Sequence, residues 1–474
     1  MSHRTPLAIL ISLLLLVPAA CNRLEEAAPE QPAGTPPPAA TAGAPETAPT
    51  PEVGVGGEPR KALAWPCPDL RPPAVTHRGV LQTPELPEPP ARVSFRDPVF
   101  GTCLVRLTDR KSDIASEDSS KGLKNEYSRV QSFNADGSLI LARGIEATWY
   151  LYDARTLEPL GRLPFDGAVD PRWDARDPHR LYYCEEARLM FHDVRSGEKT
   201  VVHDFAADFR GKALAAVWTR YEGSPSRDGR YWGFMAQDKE WAPVALLVYD
   251  QRKDRVIAVR ELSGVPELDS VTISPLGDYF LAYFDYCESG RGSLARPCGL
   301  MVYDRNLEQG RGLLRVVGHS DVALDAGGRE VLVYQDIDTD HIAMLDLASG
   351  AVTRLWPIDF HHTAIGLHFS GRAFDRPGWA LVSTYNGGHP KDYTWMDDQV
   401  FAVELKSGGR VARLAHTHSL VDEAQEHDYW AEPHASVNPD FTRVLFTSNW
   451  GRSGTPEVET FMIALPQEWP ERLP

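Results

Sequence analysis

Past residue 95 the chain alternates apolar and polar residues in short runs broken by Gly, Pro, Asn, Asp and Ser, which is the period-2 signature of half-buried strands joined by turns. One unit recurs: an apolar strand, a turn, a second apolar strand, a variable loop, then a third strand followed by another turn. The first turns read "FNADGSLILA", "PRWDARDPHRLYYC", "SPSRDGRYWGFMA", "VTISPLGDYFLAYF", "VALDAGGREVLVYQ", "GLHFSGRAFDRPGWALVST" and "SVNPDFTRVLFTS". The matching third strands end at Asp153, Asp193, Asp250, Asp304, Asp346, Glu404 and Leu465. Convincing helical periodicity is absent. Units of roughly 40–65 residues match the repeat of four-stranded propeller blades, so the pattern predicts an all-β, seven-bladed β-propeller. The seventh unit ends at "FMIALPQEWPERLP" with three strands. "RDPVFGTCLVRLTDRK" (Arg96–Lys111) has the character of an outer strand, and pairing Leu104–Leu107 with the last strand near Glu459–Ile463 closes the ring without an unpaired central edge.

Ahead of these units the pattern changes twice. Arg4, the apolar run Leu7–Val17 and "PAAC" ending at Cys21 form an export signal over residues 1–21. The run is too short to span a bilayer comfortably. Small residues before a cysteine resemble the lipobox of bacterial lipoproteins, which implies lipidation of Cys21, although Pro18 stands where that motif usually carries Leu; ordinary cleavage near Ala20 is the alternative. Residues 22–60, rich in Pro, Ala, Thr and Gly, cannot bury a core and read as a disordered tether. The expectation is therefore a propeller over residues 61–474, held by a lipid to a membrane of the bacterial cell envelope and facing the periplasm or exterior.

The formal net charge of −17 changes the picture by excluding nucleic acid, which requires clustered Lys and Arg. Five cysteines follow Cys21, and export permits their oxidation. Cys287 and Cys298 bracket a Gly-rich loop and are the best disulfide pair; Cys67 with Cys103 is a second, which leaves Cys184 as a buried thiol. Neither cysteine spacing nor a Cys/His cluster suggests structural zinc.

Aligning the units on the last apolar residue of the first strand (Phe133, Trp173, Pro225, Ile273, Leu324, Phe369, Val437) compares equivalent rim positions. Residues two apart share a face. Five and three residues earlier stand Arg220 and Glu222, His319 and Asp321, and Glu432 and His434, with His361 and His362 just ahead of the sixth blade. The loops joining second and third strands add Trp241, Tyr385, Asn386, Asn449 and Trp450. Aromatic rings among amides and carboxylates suit sugars, whose apolar faces stack while hydroxyls take hydrogen bonds; polar loops and inter-blade staples are the plainer reading. "DIDTDH" lacks the Gly and distal Glu of a calcium loop, "HTH" (His416–His418) reads as a solvated loop, and His368 as a hydrogen-bonded core histidine.

The turns "SPLGD" and "NPDF" resemble those of TolB-type and WD-like propellers, which implies fold alone. "GHSDVALDAGG" with "EPHASVNPD" resembles oligogalacturonate lyases, seven-bladed enzymes that bind a divalent metal through one histidine, a Gln and two histidines of an "HPHP" segment. On that resemblance His319, Glu432 and His434 would hold one divalent ion. Glu432 takes the place of a histidine and Tyr429 that of the Gln, so the coordination would differ from the family's. Arg220 would grip a substrate carboxylate and His361 or His362 would be the base. The main expectation is nevertheless a non-catalytic propeller that binds an oligosaccharide or an envelope protein at its funnel, with the metal-dependent lyase as the alternative, because the strong negative charge disfavours a polyanionic substrate.

Overall fold

The structure is a computed structural model that describes residues 66–474 except 168, 210, 211, 364, 387–392 and 423, and only the backbone of His361 and His362. The expected signal, the tether and Cys21 lie outside the described residues. Six meandering four-stranded sheets and one five-stranded sheet form seven blades, and among the described residues the only α-helix is the four-residue Phe360–Thr363.

The local chemistry of each blade follows from its turn residues. Asp153 and Asp193 end third strands, and each accepts two backbone N–H groups of the following turn at 2.8–3.0 Å; this Asx geometry stops the strand where the sequence turns. Second strands are sandwiched between neighbouring blades and are almost wholly buried, as in Trp379–Asn386. Outer strands such as Lys199–Asp204 alternate between exposed and half-buried residues.

The ring closes with the N-terminal strand. Cys103–Arg106 pairs antiparallel with Glu459–Ala464, Leu104 facing Ile463 and Arg106 facing Phe461, and the Leu107 N–H still donates to Thr460 O at 2.8 Å. Phe95–Arg96 adds a fifth strand outside it. Disulfides join Cys67 to Cys103 and Cys287 to Cys298, and Cys184 is a buried free thiol.

Candidate functional site

The innermost strands bring three polar side chains into near-contact. His368 lies in Ile365–Ser370 of blade six, while Glu432 and His434 lie in the loop between the 3-10 turn Glu426–Ala431 and strand Ser436–Val437 of blade seven. Their ligand atoms all fall within 4.8 Å of one another. One Glu432 oxygen stands 3.3 Å from Nε2 of each histidine, and the rings are 4.2 Å apart. Apart from those approaches, none of the four ring nitrogens has a hydrogen-bond partner, although both histidines are buried.

Unpaired polar atoms are costly in an interior, and this set offers two imidazoles and a carboxylate. Burial first, then Lys124 and Arg129, holds His368 down at about 3; burial first, then His368 and Lys124, holds His434 well below the ordinary range. Both rings are therefore neutral at ordinary pH, the form a cation requires. The donor chemistry fits a divalent transition metal better than calcium, which prefers oxygen ligands. His434 sits at φ +42°, a left-handed conformation that costs a non-glycine residue backbone strain. Asn125 of blade one braces it by donating to His434 O at 2.6 Å, and is itself fixed by the Thr447 hydroxyl at 2.7 Å.

His319 stands beside the set, its ring 4.4 Å from that of His368 and its Nδ1 3.2 Å from the Tyr127 hydroxyl. Desolvation, then His368, holds it at about 3. It thus flanks the cluster, while His368, read from sequence as a core histidine, provides the third group. The signal was parity. His368 lies one residue before the alignment point, His434 three and His319 five, so all three share one face of their strands.

Blade one also contributes groups absent from the rim alignment, because residues 125–132 run as loop after the short strand Leu123–Lys124. Tyr127 packs 4.8 Å from His434. Arg129 lies over Tyr127 and Tyr283 and pairs with Glu222, whose carboxyl is pushed up to about 7 by burial. Burial also pulls Lys124 down to about 7, with Arg143 adding to the effect. Around the cluster the cations Lys124, Arg129, Arg143, Arg172 and Arg372 face the carboxylates Glu126, Asp170, Glu222, Asp321 and Glu432. The wall is nearly balanced, so a bound divalent ion would make it positive.

Of the other sequence candidates, Tyr385 and Asp321 adjoin the cluster and the rest are engaged elsewhere. Arg220 donates to Leu268 O and Asp269 O of blade four and is 3.5 Å from Glu267, away from the histidine cluster. Asp321 is held by Arg372 at 2.7 Å and by two backbone N–H groups. Tyr385 stacks on His368 at 5.8 Å. Asn386 donates to Asp398, Asn449 pairs twice with the Leu420 backbone, and Trp450 lies between His418 and Phe461. Trp241 is exposed. The side chains of His361 and His362 lie outside the described residues.

No protein-family model matches the chain, and no curated protein matches it. Among solved structures, an oligogalacturonate lyase in complex with manganese matches with a TM-score of 0.54 and 17% identity over 84% of this chain and 99% of its own. An oligogalacturonate lyase from Vibrio parahaemolyticus gives 0.54 and 14% over 79% and 97%. TolB from Acinetobacter baumannii, at 0.33 and 16% over 64% and 65%, matches too loosely to add anything. At such identities the likeness establishes architecture: the chain has a seven-bladed propeller fold like that of these two lyases.

Proposed function

We propose that this chain is an exported, lipid-anchored, divalent-metal-dependent lyase that cleaves acidic oligosaccharides by β-elimination. The observation that carries the reading is the buried His368–Glu432–His434 set, whose ring nitrogens lack partners; the manganese-bound lyase of the same fold supports it. These three residues would hold the ion, which when bound polarises a substrate carboxylate and acidifies the adjacent C–H. His319, neutral and partly exposed beside the cluster, accepts that proton. The C–H electrons form the new C=C bond, and the glycosidic C–O bond breaks with its electrons leaving on the departing oxygen, which takes a proton from solvent water while His319 returns the abstracted proton to solvent. Arg129, fixed by Glu222 over the Tyr127 ring, offsets the charge that develops on the carboxylate.

Metal analysis together with absorbance of an unsaturated uronide product tests this reading on wild type, His368→Ala, His434→Ala and the double variant. The expected result is one tightly held ion and activity in wild type, and similar loss of both in every variant, because the residues act as a unit. His319→Ala should keep the ion and lower kcat about 10²-fold or more; Lys124→Met is the comparison that separates His319 from the other amine near the cluster. Wild type free of metal and inactive on oligogalacturonides would remove the enzyme. A second reading, a non-catalytic sugar-binding propeller, is favoured by Arg220, whose guanidinium is committed to backbone carbonyls. Export through Cys21 predicts that Cys21→Ala releases the protein from membranes into the soluble fraction.

A further inference from the structure

Between blades two and three, on the loops that join their second and third strands, lies a cavity of about 340 Å³ with Trp218 and Trp241 in its wall. Trp241 is 57% exposed and Tyr221 41%. Trp218 stands between them, 6.0 Å from Trp241 and 5.1 Å from Tyr221. Tyr286, Tyr393 and Tyr429 are exposed as well, but Trp241 is the one exposed tryptophan among the described residues.

These rings are held rather than loose. Gln237 accepts from Trp218 Nε1 at 2.5 Å and donates to Trp241 O at 2.6 Å, so one amide fixes the Trp218 ring and the Trp241 backbone. Asp238 accepts the N–H groups of Glu240 and Ala242 and tightens the turn that presents Trp241. Trp241 at φ +62° and Tyr221 at φ +73° both occupy the left-handed region, where glycine would sit without strain. Of the remaining wall, Glu186 and Lys239 supply one acceptor and one donor of opposite charge.

We infer that this platform is a sugar subsite that stacks the apolar face of a pyranose belonging to the same oligosaccharide that reaches the histidine cluster. Rigid rings suit such stacking because little freedom is lost on binding. Glu186 lies 3.7 Å from Arg188 and Lys239 lines the same wall, so acid and base stand side by side and the subsite takes neutral and acidic sugars alike. Packed contacts lead from it to the cluster: Tyr221 precedes Glu222, which pairs with Arg129; Arg129 covers Tyr127, and Tyr127 packs on His434. The inference deepens the proposed function by giving the substrate a second point of attachment, but stacking on the platform needs no metal.

The test titrates wild type, Trp241→Ala and Tyr221→Ala with trigalacturonate and with neutral β-1,4-galactotriose, following tryptophan fluorescence with chelator present. Saturable fluorescence changes are expected in wild type with both probes, and Kd should rise about tenfold in each variant, the equivalent of one good stacking contact. Wild type unresponsive to both sugars, or variants that bind as wild type does, would overturn the inference. Metal content measured on the same preparations before chelator is added separates the two proposals. Trp241-dependent binding by a protein that takes up no metal would sink the lyase and keep the platform; a metal-loaded protein whose binding ignores Trp241 and Tyr221 would sink the platform alone.

Discussion

At Gly366 the innermost strand of blade six passes so close to Tyr385 that a Cβ would lie 2.2 Å from the ring Cζ. The missing side chain is what lets that ring stack on His368, two residues along the same strand. Gly366→Ala must therefore displace Tyr385, at about 1–3 kcal/mol of stability for overpacking, and unsettle the orientation of His368. Metal affinity is expected to fall about 10–100-fold, as for other residues that orient a ligand, while a melting curve shows the protein still folded. Affinity equal to wild type would show that Tyr385 does not orient the histidine. That contact also explains what the sequence could and could not reveal. Glu432 and His434 stand out because two polar residues precede an ordinary strand, whereas His368 sits among apolar neighbours and becomes visible only when the third row of the same face is compared across blades. Lys124, Tyr127 and Arg129 were hidden because the positions compared in blade one, five and three residues before Phe133, fall on Ser128 and Val130 instead.

At the scale of elements, residues 66–92 are the part that strand patterning leaves without a role. The segment is rich in proline, which removes N–H donors but leaves carbonyls, and between Val75 and Leu86 it docks by accepting, while Cys67 and Arg92 near its ends donate. Val75 O takes the Arg413 N–H at 3.0 Å, Gly79 O the Arg413 guanidinium at 2.7 Å, Leu81 O lies 3.1 Å from His416 Nε2, and Leu86 O takes Trp450 Nε1 at 2.9 Å. The expectation of a solvated "HTH" loop gives way for this reason: His416 is fully buried beneath the segment. His418 stacks on Trp450 at 4.2 Å and is held at about 4 by burial first and His416 second. The unfolded chain protonates this histidine near its ordinary value of about 6.5, so the folded state binds fewer protons between 6.5 and 4, and stability falls as pH drops through that window. Asp97, raised by burial beside His416, acts in the opposite sense nearer its own lower range. Acidification from pH 7 to 4.5 should therefore lower the melting temperature of wild type more than that of His418→Gln, by on the order of a few degrees. Parallel pH profiles would take His418 out of the account.

For the whole molecule the decisive feature is that its two ends share one blade. Strands from residues 103–106 and 459–464 pair in register, and the Cys67–Cys103 disulfide ties the docked N-terminal segment to the closing strand. Seven blades were legible from turn spacing, and the closing strand from the missing fourth strand of the last unit, because both follow from period and strand count rather than from side-chain detail. The fifth strand at Phe95–Arg96 was not, since two residues carry no periodicity. A ring closed in this way should lose stability from the seam outward. Deleting residues 22–60, which lie ahead of every described contact, should leave the melting temperature unchanged. Cys67→Ser should lower unfolding stability by about 2–4 kcal/mol, the usual contribution of a disulfide that closes a loop of this size. Deleting residues 96–111 removes the partner of Glu459–Ala464 and also Arg110, whose guanidinium holds the buried Glu459 at 2.7 Å. It exposes a long apolar edge prone to pairing with other chains, so the expected product is aggregate or an uncooperative monomer in size-exclusion and thermal-melt measurements. If that deletion left a soluble monomer melting with wild-type cooperativity, the ring would be held by inter-blade packing alone and the seam would be incidental.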